Sequence, residues 1–124
     1  MAKYKTLPIL RDSRLMMVEV ERILKDFPRY HKYTLGTEIR QTAMKIYKYV
    51  SRAIHYKEYR KSYITKLLFV LDDLNLQLQV AKELKVFKSF NQFEILLTYA
   101  QQISRQSFKL VPTLCVGTHR SYNG

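Results

Sequence analysis

Between residues 60 and 84 an apolar side chain returns every three or four positions: Ile64, Leu67, Leu71, Leu74, Leu78 and Ala81. That spacing aligns all of them on one side of an α-helix of about six turns; a strand would scatter them over both faces. So long an apolar side must be buried, so the rest of the chain has to supply helices that cover it. Three further runs have the same period. In the first, Ile9, Ser13, Met16, Val20, Ile23 and Phe27 share a face; Thr6 is the expected N-cap, Pro8 falls in the first turn, and Pro28 is expected to end the helix. The second is expected to start between residues 34 and 37 and to run to about 56, with Ile39, Ala43, Ile46, Val50, Ala53 and Ile54 as its stripe. In the fourth, Phe93, Leu96, Ala100 and Ile103 face inward, and Ser89 followed by Gln92 has the capping-box spacing.

Connections between these runs are short, and Gly and Pro number only three each. The expected fold is therefore all-α, an antiparallel up-down-up-down four-helix bundle occupying residues 1–111. The final stretch, PTLCVGTHRSYNG at 112–124, has no period and reads as a loose tail. A chain of 124 residues is long enough for one core without metal or disulfide staples, and its single cysteine, Cys115, allows no internal disulfide. With no apolar run long enough for a signal peptide or a membrane span, the expected location is cytoplasmic.

The charge is lopsided. Net charge is +12, and residues 1–62 hold 15 basic against 6 acidic side chains. A surplus of that size repels itself and calls for an acidic partner, with nucleic acid the first candidate. The surplus is densest in AMKIYKYVSRAIHYKEYRK, residues 43–61, which carries six Lys or Arg, four Tyr and one acid, Glu58. At about 100° per residue, Lys45, Lys48 and Arg52 fall opposite the apolar stripe of their helix, Gln41 joins them, and Tyr49 and Tyr56 flank the stripe. Lys57, Arg60 and Lys61 extend the charge into the next turn. Basic side chains neutralise phosphates and tyrosine rings stack on unpaired bases. A basic helix face is often no more than a solvated one; here the whole-chain charge and the lack of acids within the ridge favour a binding surface. Lys45, Lys48, Arg52, Tyr49 and Tyr56 are the leading candidates, then Lys57, Arg60 and Lys61, with Arg29 and Lys32 as outlying phosphate contacts. Tyr47 points near the core and reads as packing.

No catalytic constellation is found. There is no phosphate-cradling glycine loop and no HExxH; the three histidines, His31, His55 and His119, lie in separate segments without a Cys or acid at ligand spacing. Asp72 and Asp73 are adjacent, so on a helix they diverge by about 100° and cannot act as an acid–base pair. No metal, cofactor or catalytic residue is expected. The third helix carries a second apolar line, however. Phe69, Leu76 and Val80 fall roughly opposite its main stripe, where a bundle helix is normally polar. Three large residues over three turns point to a contact with another subunit.

Three blocks carry a family resemblance: LPIL at 7–10, FPRYHKYTLGTEIRQTA at 27–43, and LDDLNLQLQVAKELKVFKSFNQFEILLTYAQQISRQ at 71–106. In that order they resemble the accessory variability determinant (Avd) proteins of diversity-generating retroelements, over about residues 7–110. FPR-x₄-TLG is the most specific element and the L-x₂-L-x₃-L-x₂-A-x-ELK run is next. The resemblance implies a four-helix bundle that assembles as a homopentamer with a basic surface. It also implies binding to nucleic acid (RNA or cDNA) and to the element's reverse transcriptase, in support of mutagenic copying of template RNA into cDNA, with no enzymatic activity of its own. A wider related group is the four-helix-bundle proteins encoded in intervening sequences of 23S ribosomal RNA genes, also pentamer-forming and without a reverse transcriptase partner. The third reading is a purely structural oligomer whose charge serves solubility.

Overall fold

The computed structural model of the chain describes residues 7–111, and every regular element within them is helical, with no strand among the described residues. There are four long helices: α1 (Pro8–Leu24), α3 (Leu35–His55), α4 (Arg60–Glu83) and α5 (Phe90–Leu110). A one-turn helix, α2 (Arg29–Lys32), joins α1 to α3, and a 3-10 turn, Lys57–Tyr59, joins α3 to α4. Thr6 and the expected tail at 112–124, Cys115 and His119 included, lie outside the described residues.

Helix boundaries follow local chemistry, with some departures from the sequence-based expectation. The N-cap of α1 is Leu7 in extended backbone rather than Thr6, and Pro8 takes the first helical position, where a missing N–H breaks no bond. Helix α1 ends at Leu24, earlier than Pro28 requires; Phe27 stays in the core from beyond the helix end, and Pro28 becomes the residue from which α2 starts. At this junction Phe27 is buried and Leu35 packs against the core, but Tyr30 and Tyr33 are 74% and 70% exposed. At α5 Ser89 is the N-cap, but its side chain makes no capping bond. Gln92 accepts instead from the backbone N–H of Lys88, one residue earlier than a capping box requires, at 2.9 Å. Its amide nitrogen also donates to Asp26 at 2.9 Å, so both ends of the amide are held at once.

Helix α4 ends in a Schellman motif. The Val86 N–H donates to Ala81 O and the Lys85 N–H to Lys82 O, with Lys85 at φ 58°, the one non-glycine residue at positive φ among the described residues. Buried Val86 supplies the accompanying apolar contact.

The four long helices close a ring: α3 packs on α1 and α4, and α5 on α1 and α4. The six stripe residues of α4 are fully buried, as are Ile39, Ala43, Ile46, Val50 and Ala53 of α3, and Met16 and Val20 of α1. Each large aliphatic side chain so buried contributes ~1.5–3 kcal/mol. At one end Phe27 meets Phe87 edge-on at 5.3 Å, Phe87 meets Phe93 at 5.9 Å, and Lys82 Nζ lies 5.0 Å over the Phe93 ring. Gly36 is buried at the same end. A Cβ placed there would lie 3.2 Å from the His31 carbonyl oxygen and 3.4 Å from Leu24, so the α2–α3 junction closes on a residue with no side chain.

Polar groups pin the surface seams. Arg40 of α3 donates to both carboxylate oxygens of Glu21 on α1, at 2.5 and 3.2 Å. The hydrogen bond from Arg40 to Glu21 raises the pKa of the guanidinium above its ordinary value. Between α1 and α5, Gln106 donates to Asp12 at 3.0 Å, complementing the Gln92–Asp26 bond towards the other end of the seam.

Candidate nucleic-acid interface

Burial of the α3 stripe fixes what the opposite side must show. With Ile39, Ala43, Ile46, Val50 and Ile54 turned into the core, Gln41, Lys45, Lys48 and Arg52 are exposed along the outer face. From Lys45 to Arg52 the helix rises ~10 Å. None of Lys45, Lys48, Arg52, Lys57 and Lys61 forms an ion pair among the described residues. The three pairs found there are Arg11–Asp12, Arg22–Glu19 and Arg40–Glu21, all elsewhere. The ridge is thus a row of uncompensated cations.

Its aromatic border belongs to two helices. Tyr49 is half-buried and Tyr56 is 53% exposed. Both lie beside Tyr63 of α4, with ring centroids 6.2 Å and 6.4 Å away, tilted by 32° and 41°. Lys66 Nζ lies 5.6 Å over the Tyr63 ring, and Tyr59 is exposed on the 3-10 turn between them. Sequence reasoning missed Tyr59, Tyr63 and Lys66 as members of this group. The available signal was Tyr at 56, 59 and 63, the helical three- and four-residue spacing carried across a helix boundary. Tyr47 is half-buried against the core.

Arg60 has a different task from its basic neighbours. Its Nε donates to Ala53 O at 2.7 Å and its Nη2 to Ile54 O at 3.1 Å. These are carbonyls of the last turn of α3, which lack intrahelical donors. Arg60 therefore caps one helix from the first residue of the next and holds the α3–α4 joint. Arg29 is exposed and Lys32 half-buried on α2, at the N-terminal end of α3. Helix α3, 21 residues long, separates them from Tyr56 by ~30 Å of helix rise. The structure therefore keeps the outlying pair away from the aromatic end of the ridge.

Phe69, Leu76 and Val80 are 70%, 57% and 50% exposed on α4, opposite its buried stripe, and exposed Leu84 extends the line by one turn. A groove between α1 and α5 is lined by Asp12, Leu15, Glu19, Glu94 and Tyr99 among others; its carboxylates make it unsuited to phosphate. Among the described residues there is no group of three or more His, Cys, Asp or Glu able to hold a metal ion, and no helix long and apolar enough to cross a membrane. A scan against protein-family models matches no family, and a search of the curated proteins finds no matching relative.

Proposed function

We propose that the chain is a non-catalytic, cytoplasmic nucleic-acid-binding accessory subunit of a diversity-generating retroelement, assisting its reverse transcriptase in mutagenic copying of template RNA into cDNA. The observation that carries the binding reading is the α3 ridge: Lys45, Lys48 and Arg52 exposed in a row with no carboxylate partner. The reverse transcriptase partnership rests on the resemblance of the three sequence blocks to the Avd family. The bundle is read as antiparallel, up-down-up-down. The contacts from Asp26 to Gln92, from Asp12 to Gln106 and from Lys82 to Phe93 support that reading, each joining the end of one helix to the start of another. Subunits assemble, as the homopentamer that the resemblance implies, through the exposed α4 line of Phe69, Leu76 and Val80.

One feature favours the second reading, a bundle of the ribosomal intervening-sequence type that works without a reverse transcriptase. Avd proteins often carry Gly-Gly-Trp at the end of the last helix, where this chain has SRQSFKL at 104–110 and no tryptophan anywhere. Co-purification with the reverse transcriptase of the same element separates the two readings, since only the first requires a complex.

The ridge itself is tested by titrating labelled RNA at several salt concentrations. Three phosphate contacts to a single strand give a log–log salt slope of about −2. Replacing Lys45, Lys48 and Arg52 together by Glu abolishes binding while the far-ultraviolet circular dichroism stays helical. Parental affinity in that variant rules the ridge out as the site.

A further inference from the structure

The aromatic end of the ridge has a property that charge alone does not require. Tyr49 and Tyr56 both meet Tyr63 where α3 meets α4, Tyr59 lies on the 3-10 turn between the two helices, and Tyr56 and Tyr59 keep more than half their surface in water. The rings that touch are tilted by 32° and 41° rather than stacked face to face, and Tyr56 and Tyr59 are the two left exposed. Arg60 ties the joint to the last carbonyls of α3, so the group sits on a fixed corner rather than on a free loop. Arg52 is one helical turn before Tyr56, and exposed Lys57 and Lys61 follow it.

We infer that this corner is a stacking platform that makes the ridge select unpaired strands over duplex; the inference rests on the ridge reading above. A strand whose phosphates lie on Lys48, Arg52 and Lys57 brings its bases to the tyrosine corner. Unpaired bases expose their faces and stack on aromatic rings, whatever their identity. In a duplex those faces are already stacked inside the helix, and the same rings meet only sugar and phosphate. The cations therefore set how tightly any nucleic acid binds, and the tyrosines set which strandedness is preferred. Selection is for unpaired bases in RNA or DNA, without a sequence code, because every base has a π-face.

The test uses the intact chain and two labelled probes of about 20 nucleotides, a single-stranded oligouridine and a mixed-sequence RNA duplex, followed by fluorescence anisotropy at low salt. Tyr56→Ala is expected to weaken single-strand binding about tenfold, within the range of one stacked base, and to change duplex binding less than twofold. Tyr56→Trp is expected to restore the single-strand affinity. The chain has no other tryptophan, so that variant also reports contact directly: its emission is quenched by the oligouridine and not by the duplex. Equal losses for both probes with Tyr56→Ala, or unquenched emission with Tyr56→Trp, overturn the platform and leave the ridge standing. Unchanged single-strand binding when Lys45, Lys48 and Arg52 are reversed overturns the ridge itself, and the platform with it.

Discussion

At Lys85 the backbone enters the left-handed region, φ 58°, to end α4 in a Schellman motif. An L-residue with a Cβ carries ~1–2 kcal/mol of steric cost there. Glycine removes that cost but loses ~0.5–1 kcal/mol more conformational freedom on folding. Lys85→Gly is therefore expected to stabilise the chain by roughly 0.5–1 kcal/mol, read as a higher melting temperature. Nothing about a lysine announces this role, since glycine or asparagine is the usual cue, and the position was not legible in the sequence. Gly36 is the opposite case. The space beside it is taken by the His31 carbonyl at 3.2 Å and by Leu24 at 3.4 Å from an added Cβ. Gly36→Val is expected to destabilise by roughly 1–3 kcal/mol through overpacking, visible as a shifted chemical-denaturation midpoint. An unshifted midpoint would mean that the α2–α3 junction gives way freely. Here the sequence did give a cue: a glycine within a block of aromatic and aliphatic residues, at the start of a helix, where its flexibility costs least. Arg60 was legible as a charge but not as a cap, because its acceptors, Ala53 and Ile54, are main-chain oxygens that no side-chain pattern marks.

Among the helices, α4 is apolar on two sides, and each side has its own consequence. The inner line holds the bundle; the outer line of Phe69, Leu76, Val80 and Leu84 is left in water. If the outer line is the subunit contact, Leu76→Glu buries a charge without a partner there, which costs several kcal/mol. Light scattering should then show smaller particles, while circular dichroism retains the helical signal because Leu76 does not enter the core of its own chain. An unchanged mass would assign the contact to another face. The four long helices and their inward stripes were legible because burial imposes the 3.6-residue period directly on residue choice. The short pieces, α2 and the 3-10 turn, were not. One turn of helix has no period to read, and both arise from how the chain gets from one long helix to the next. Tyr59 and Tyr63 escaped for a related reason: with Tyr49 and Tyr56 they fall on both sides of a helix boundary, and periodicity is counted within one helix at a time.

For the molecule as a whole, the +12 charge and the helical ring answer different demands. The ring needs only apolar lines that meet; the charge sits outside them and acts against compaction. Arg40–Glu21 offsets little of it, since exposed pairs contribute ~0–1 kcal/mol. An arginine is already charged throughout the neutral range, and the hydrogen bond to Glu21 raises its pKa further. Much of the fold was legible from one sequence because a bundle is built from repeated local patterns. The candidate interface was half legible: the cations, Tyr49 and Tyr56 by their spacing, and Tyr59, Tyr63 and Lys66 only once two helices are brought together. The seam between α1 and α5 has a further consequence. Its two glutamine–aspartate bonds join Asp12 to Gln106 and Asp26 to Gln92. The two aspartates and the two glutamines are each separated by the same 14 positions. Sliding one helix by a single turn, ~5.4 Å, would pull both bonds apart at once. Like two matched marks on a sliding scale, they coincide at one setting only, so the seam has a single alignment.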